Sequence, residues 1–175
     1  MTFALAWVGE ASLTGGSPHG WDAGRRVASV SDQPSNAASE FLRYAFASFT
    51  EDGSPPEEWV RAVLTDDFTY EDRRSGPSFP DADADSFAKF FLTTWQTGAD
   101  GNPRFEAETL AVRGERFAAV AAQVDYGNGM VGDFIVVIGL GATLSLMQRM
   151  VDFDIDDVDR AIAELGRLHG QADAS

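Results

Sequence analysis

Between Arg104 and Phe153 the chain alternates strand-like runs with very short turns, and this spacing constrains its fold more than any other feature. The runs are Arg104–Val112, Phe117–Tyr126, Met130–Leu140 and Thr143–Phe153. Arg113-Gly114-Glu115, Gly127-Asn128-Gly129 and Gly139-Leu140-Gly141 lie at the junctions. Connections this short join antiparallel neighbours, because a parallel pair needs a crossover of a dozen residues or more. The spacing therefore predicts a four-stranded antiparallel meander, its glycines supplying positive backbone angles at the turns. Met130–Leu140 is apolar on both faces. Asp133 alternates with Val131, Ile135 and Val137, while Phe134, Val136, Ile138 and Leu140 form the second face. Helices would cover one face, and a second subunit is the expected cover of the face formed by Phe134, Val136, Ile138 and Leu140, giving a homodimer.

Helical periodicity flanks the meander. Ser35 or Asn36 can cap a helix whose stripe is Phe41, Leu42, Ala45, Phe46 and Phe49. Pro55 and Pro56 open a short second helix with Trp59, Val60 and Val63. From Thr65 to Asp72 the period drops to two, placing Phe68, Tyr70 and Asp72 on one face of a strand. A third helix from Asp85-Ser86 to Thr97-Gly98 carries Phe87, Phe90, Phe91 and Trp95 along one side. Asp156 or Asp157 then caps a closing helix with Val158, Ala161, Ile162, Leu165 and Leu168. The fold class is α+β, a curved antiparallel sheet wrapped on helices. Residues 1–34, rich in glycine and polar residues, read as a tail or a pocket-covering segment. Residues 35–170 form the domain, and 171–175 a disordered tail.

The 175 residues carry a net charge of −15, which argues against a nucleic-acid partner. Lys89 is the single lysine beside twelve arginines, and no phosphate-cradling G-x-x-x-x-G-K loop occurs. Cysteine is absent, so thiol nucleophiles, disulfides and cysteine metal sites are excluded. No basic leader or membrane-length apolar run is present, so a cytoplasmic location away from membranes is expected. Chemistry must come from carboxylates, tyrosines and arginines, with no cofactor or metal.

Three local motifs have mundane explanations. Gly139-Leu-Gly141 lacks the third glycine and the length of a dinucleotide fold, and reads as a hairpin turn. Asp152-x-Asp154-x-Asp156-Asp157 lacks the glycine and bidentate acid of a calcium loop, and reads as a strand end with a helix cap. Asp81-x-Asp83-x-Asp85 fails the same test and precedes a helix. Asp72 is more informative, because alternation with Phe68 and Tyr70 turns its carboxylate inward. There it is either a desolvated general base or half of an ion pair with Arg73, Arg74 or Arg149. Asp133 poses the same question. Tyr44 lies just outside its helix stripe, where a phenol could reach a cavity mouth.

Leu64-Thr-Asp-Asp-Phe-Thr-Tyr-Glu-Asp-Arg-Arg-Ser-Gly76, after two helices and before a third, resembles the first strand of the nuclear transport factor 2-like superfamily. That superfamily includes ketosteroid isomerases, SnoaL-like polyketide cyclases, limonene-epoxide hydrolases and scytalone dehydratases. The resemblance covers about residues 36–154 and implies a cone with an apolar pocket, usually homodimeric. It places Asp72 at the general base of the isomerase-type members. Tyr44 falls near their oxyanion-hole tyrosine, and Asp133 near their protonated aspartic acid. Arg73 and Arg74 depart from the apolar residues or prolines expected after the base, and their charge would lower the Asp72 pKa. Tyr70-Glu-Asp-Arg-Arg-Ser-Gly76, Leu110-Ala-Val-Arg-Gly-Glu-Arg116 and the tail Phe153–His169 resemble C-terminal modules of actinobacterial signalling proteins. That likeness implies ligand sensing or dimerisation in a regulatory or accessory role, and the leading expectation is binding of a small, largely apolar ligand, with Phe68, Tyr70, Arg73, Phe91, Trp95 and Arg149 as its expected contacts. The alternative is a cofactor-free isomerase, cyclase or dehydratase using Asp72, Tyr44 and Asp133. A third possibility is a dimerisation module with a filled core.

Overall fold

The computed structural model describes residues 33–51, 57–76, 79–98, 104–126 and 131–174. The elements are α1 (Ala37–Glu51), α2 (Glu57–Ala62), β1 (Leu64–Asp72), β2 (Ala82–Asp83) and α3 (Ala84–Gly98), followed by β3 (Arg104–Arg113), β4 (Phe117–Asp125), β5 (Val131–Leu140), β6 (Met147–Asp154) and α4 (Val158–Asp173). The Gly127–Gly129 turn, Pro55, Pro56, nearly all of the 1–34 tail and the side chains of Phe49 and Trp95 lie outside the described residues.

One curved six-stranded sheet orders its strands β2-β1-β6-β5-β4-β3. The meander β3 to β6 is antiparallel throughout, as its short turns dictate. β1, however, runs parallel to β6, so the sheet is mixed and not purely antiparallel. No tight turn fixes the sense of β1 relative to β6, because α3 and the whole meander lie between them in sequence. The last strand begins at Met147 rather than Thr143. Residues 141–146 instead form a turn closed by Gly141 N–H donating to Leu146 O at 2.8 Å.

The turn glycines also correct the sequence reading. Among described residues only Gly114 (φ 51°) and Leu144 (φ 58°) have positive φ. Gly139 is required for space: a Cβ there would stand 2.8 Å from the Phe117 ring.

α1 begins at a reciprocal cap. Ser39 N–H donates to Asn36 Oδ1 at 2.9 Å, and Asn36 N–H donates to Ser39 Oγ at 3.0 Å. The Asn36 amide also donates to Gly114 O and Phe117 O, at 2.7 and 2.9 Å, tying the helix start to the β3–β4 turn. Asp83 caps α3 through Ser86 N–H at 2.9 Å, and Asp85 pairs with Arg61, so the acidic run before that helix serves the helix.

The sheet separates two apolar layers. α1, α2 and α3 pack on its concave face against Phe68, Tyr70, Val120, Val136, Ile138 and Met150. α4 packs Ala161, Leu165 and Leu168 on the convex face against Ile135, Val137, Val151 and Phe153. Both apolar faces of β5 are thus covered within the chain. This removes the ground on which a second subunit was expected: the face of Phe134, Val136, Ile138 and Leu140 assigned to it is packed under α1–α3, and α4 covers the other face.

Candidate functional site

The concave face of β1 and β6 carries the site. Two-residue alternation puts Phe68, Tyr70 and Asp72 on that face, and Met150 and Asp152 beside them through the parallel pairs Tyr70–Met150 and Asp72–Asp152. Phe46 of α1 and Phe87, Phe90 and Phe91 of α3 roof the sheet. Between the layers lies a cavity of about 70 Å³. One water needs roughly 10–15 Å³, so the space admits a small organic group. Phe79, Phe134, Val124, Tyr126 and Met150 complete its apolar wall, while Tyr70, Arg74 and Asp152 supply polar atoms.

Those polar groups are tightly organised. Tyr70 Oη donates to Asp152 Oδ2 at 2.9 Å. Arg74 forks onto Asp72, Nε to Oδ1 at 2.9 Å and Nη2 to Oδ2 at 2.6 Å. Backbone N–H groups of Arg74 and Phe79 add bonds to the same carboxylate at 3.1 and 2.8 Å. The guanidinium also lies over the rings of Phe79 and Phe134, at 5.6 and 5.7 Å. Asp152 Oδ1 is buried and accepts no hydrogen bond among the described residues.

The two carboxylates respond oppositely to these surroundings. Burial pushes Asp72 up, but the Arg74 guanidinium and the two backbone donors outweigh it and hold the group below the usual carboxylate range. Asp152 is pushed up to about 7, chiefly by burial. Arg74 and the Tyr70 hydroxyl act the other way on Asp152, and the Asp72 charge adds to the rise. Burial likewise pushes the Tyr70 phenol up, with the nearby Asp152 and Asp72 charges contributing. The site therefore holds one fixed anion, one fixed cation and one carboxyl that changes charge near neutrality.

The residues singled out from sequence scatter over both faces. Tyr70 and Phe91 line the cavity. Phe68 lies in the core beneath it, edge-on to Phe87 at 5.1 Å. Trp95 belongs to α3, and its side chain lies outside the described residues. Arg73 and Arg149 belong to a network on the convex side: Arg73 pairs with Glu71 at 2.5 Å and Glu164 at 3.1 Å, and Arg149 with Glu71. Tyr44 is 62 % exposed on α1. Asp133 is exposed, accepts from Gln123 Nε2 at 2.7 Å and alternates with the convex-facing Ile135 and Val137. Asp72, Tyr44 and Asp133 are not brought together. Their place beside Asp72 is taken by Asp152.

Asp152 escaped the sequence reading because it was grouped with Asp154 and Asp156 as a false calcium loop. The signal was available: Asp152 alternates with Met150 as Asp72 does with Tyr70. The structure parts the three acids, since Asp154 accepts from Ser75 N–H at 2.8 Å, away from the cavity contacts of Asp152. Among the described residues no cluster of three or more ligating side chains could hold a metal ion.

Sheet, helices and cavity together define an α+β cone of the cystatin-like, nuclear transport factor 2-like type. Among solved structures the chain is similar to PrhC from Penicillium brasilianum, with TM-score 0.50 and 16 % identity over 75 % of this chain and 91 % of that one. It is also similar to a protein of unknown function with a cystatin-like fold from Methylobium petroleophilum, with TM-score 0.50 and 15 % identity over 69 % of this chain and 78 % of that one. A Xanthomonas campestris protein described as a polyketide cyclase follows at TM-score 0.48 and 14 % identity, over 67 % and 89 % of the two chains. Such identities establish the fold alone. No family model and no curated protein matches the chain. Among the described residues no helix is long and apolar enough to cross a membrane.

Proposed function

We propose that the protein binds a small, largely apolar molecule in the concave cavity, with a single polar group seated between Arg74 and Asp152. One observation carries this reading: an aromatic cavity whose polar end presents a buried carboxylate oxygen, Asp152 Oδ1, with no partner among the described residues. A buried acceptor left unpaired costs about 1–3 kcal/mol, which a ligand donor would recover. The bidentate grip of Arg74 on Asp72 makes Asp72 a support for that arginine and a poor base.

A second reading, cofactor-free proton transfer, is favoured by the acidity of Asp152 near 7. In that case Asp152 takes the base role that sequence analysis gave to Asp72, and Arg74 and Tyr70 stabilise the developing charge.

Titration with cyclohexanol, followed by methyl NMR of Met150 and Val124, tests binding. Saturable shifts at both methyls are expected, and shifts confined to exposed methyls would defeat the proposal. Deuterium exchange at the α-carbons of cyclohexanone tests catalysis. Exchange abolished in Asp152→Asn but retained in Asp72→Asn favours proton transfer, whereas no exchange by the parent leaves binding alone.

A further inference from the structure

Beside the cavity lies a second one of about 30 Å³, bounded by α1, α2, α3, β1 and β6. Its own lining is Phe41, Leu42, Ala45, Val60, Val63, Leu64 and Met147, with no polar side chain among its described walls. Four residues face both spaces: Phe46, Phe87, Phe91 and Met150. The two cavities are therefore chambers separated by one layer of side chains. Met150 is the compliant member of that layer, since an unbranched thioether with three rotatable bonds repacks at low cost.

The outer chamber is polar at its Tyr70–Asp152–Arg74 end, while the inner one is wholly apolar. An occupant that matches both has its polar group at the outer end and an apolar chain passing Met150 into the inner chamber. The polar end also limits the charge of the head group. The positive charge of Arg74 is already matched by Asp72 at 2.6 Å, so a bound anion would face two carboxylates and no spare cation. A hydroxyl suits this end, donating to Asp152 Oδ1 and accepting from the arginine.

We propose, resting on the binding function above, that the ligand is an elongated, uncharged amphiphile, a long-chain alcohol, whose tail occupies the inner chamber past Met150.

The full chain is titrated with n-butanol, n-hexanol, n-octanol, n-decanol and decanoate, and followed by methyl NMR. Val124 reports the outer chamber; Leu42 and Val60 report the inner one. Butanol is expected to shift Val124 alone, and decanol all three. Affinity should rise about fourfold per added methylene up to decanol, the gain for burying one methylene. Decanoate should bind at least about tenfold more weakly than decanol at pH 8, a difference of 1.4 kcal/mol. Ala45→Phe and Val63→Phe narrow the inner chamber by different routes. Either one, once shown to be folded by its amide spectrum, should collapse the ratio of decanol to hexanol affinity. Shifts that never reach Leu42 and Val60, or affinity that stops rising at hexanol, overturn the two-chamber inference and leave the binding function standing. Decanoate binding as tightly as decanol overturns the uncharged head group. Failure of every alcohol to bind overturns both readings.

Discussion

Asp72 and Asp152 are neighbours across the β1–β6 ladder, yet their protonation is pushed apart by what each touches. Asp72 has a forked guanidinium and two backbone donors; Asp152 has one phenol and otherwise an apolar wall. The difference has a sign that stability measurements can read. A carboxyl whose folded pKa is raised favours folding fully below its unfolded value and loses that contribution as pH climbs through the folded one. For Asp152 the window runs from about 4 to about 7, and the corresponding energy is on the order of 4 kcal/mol. Asp152→Asn, which keeps an acceptor for Tyr70, should therefore raise Tm at pH 8 relative to the parent, and the advantage should fade toward pH 4. Asp72 behaves oppositely, because its depressed pKa makes its contribution present at neutral pH and lost on acidification. Asp72→Asn should lower Tm at pH 7 and converge on the parent near pH 3. Thermal unfolding across that range checks both signs, and a parent-like Tm for Asp152→Asn at pH 8 would show that Asp152 is not held in the apolar setting described.

At the scale of elements, the start of α1 is a joint and not merely a helix cap. One Asn36 side chain satisfies the Ser39 amide of its own helix and two carbonyls of the β3–β4 turn. Asn36→Ala loses a cap, worth about 1 kcal/mol, and strands the two carbonyls, so the expected loss is about 2–3 kcal/mol in urea unfolding. Asn36→Ser keeps a cap acceptor and lacks the two amide donors, so it should fall between the parent and the alanine variant. Equal losses for both would assign the whole effect to the turn. The β5–β6 connection works by exclusion instead, because the Phe117 ring fills the space a side chain at residue 139 would need. Gly139→Ala should cost about 1–3 kcal/mol through overpacking, and Phe117→Leu in the same chain should recover part of it.

For the molecule as a whole, α4 is the element that covers the convex face of the sheet. It closes Ile135, Val137, Val151 and Phe153 away from water, and Glu164, itself almost fully buried, anchors it through Arg73 at 3.1 Å. A chain ending before Val158 would expose that whole face, and large exposed apolar patches drive association. Sedimentation should show the truncated chain as dimers or larger species at micromolar concentration. A truncated chain that stays monomeric and folded would show that the convex face does not depend on α4.

Local chemistry wrote much of this into the sequence. Period-two alternation determined that Phe68, Tyr70 and Asp72 face inward, turn spacing determined the meander, and helical stripes determined α1, α3 and the start of α4, which runs on to Asp173 through most of the segment expected as a disordered tail. These are properties of adjacent residues, so the chain displays them unfolded. The sense of β1 against β6 and the meeting of Tyr70 with Asp152 depend on residues about 80 positions apart, the faces of β5 are covered by helices from both ends of the domain, and no local pattern encodes any of these encounters. Asp152 illustrates the boundary. Its strand alternation was legible, but its raised pKa arises from burial among groups gathered from α1, α3 and four strands, against the opposing pull of Arg74 and Tyr70, and only the folded chain puts them around one carboxyl.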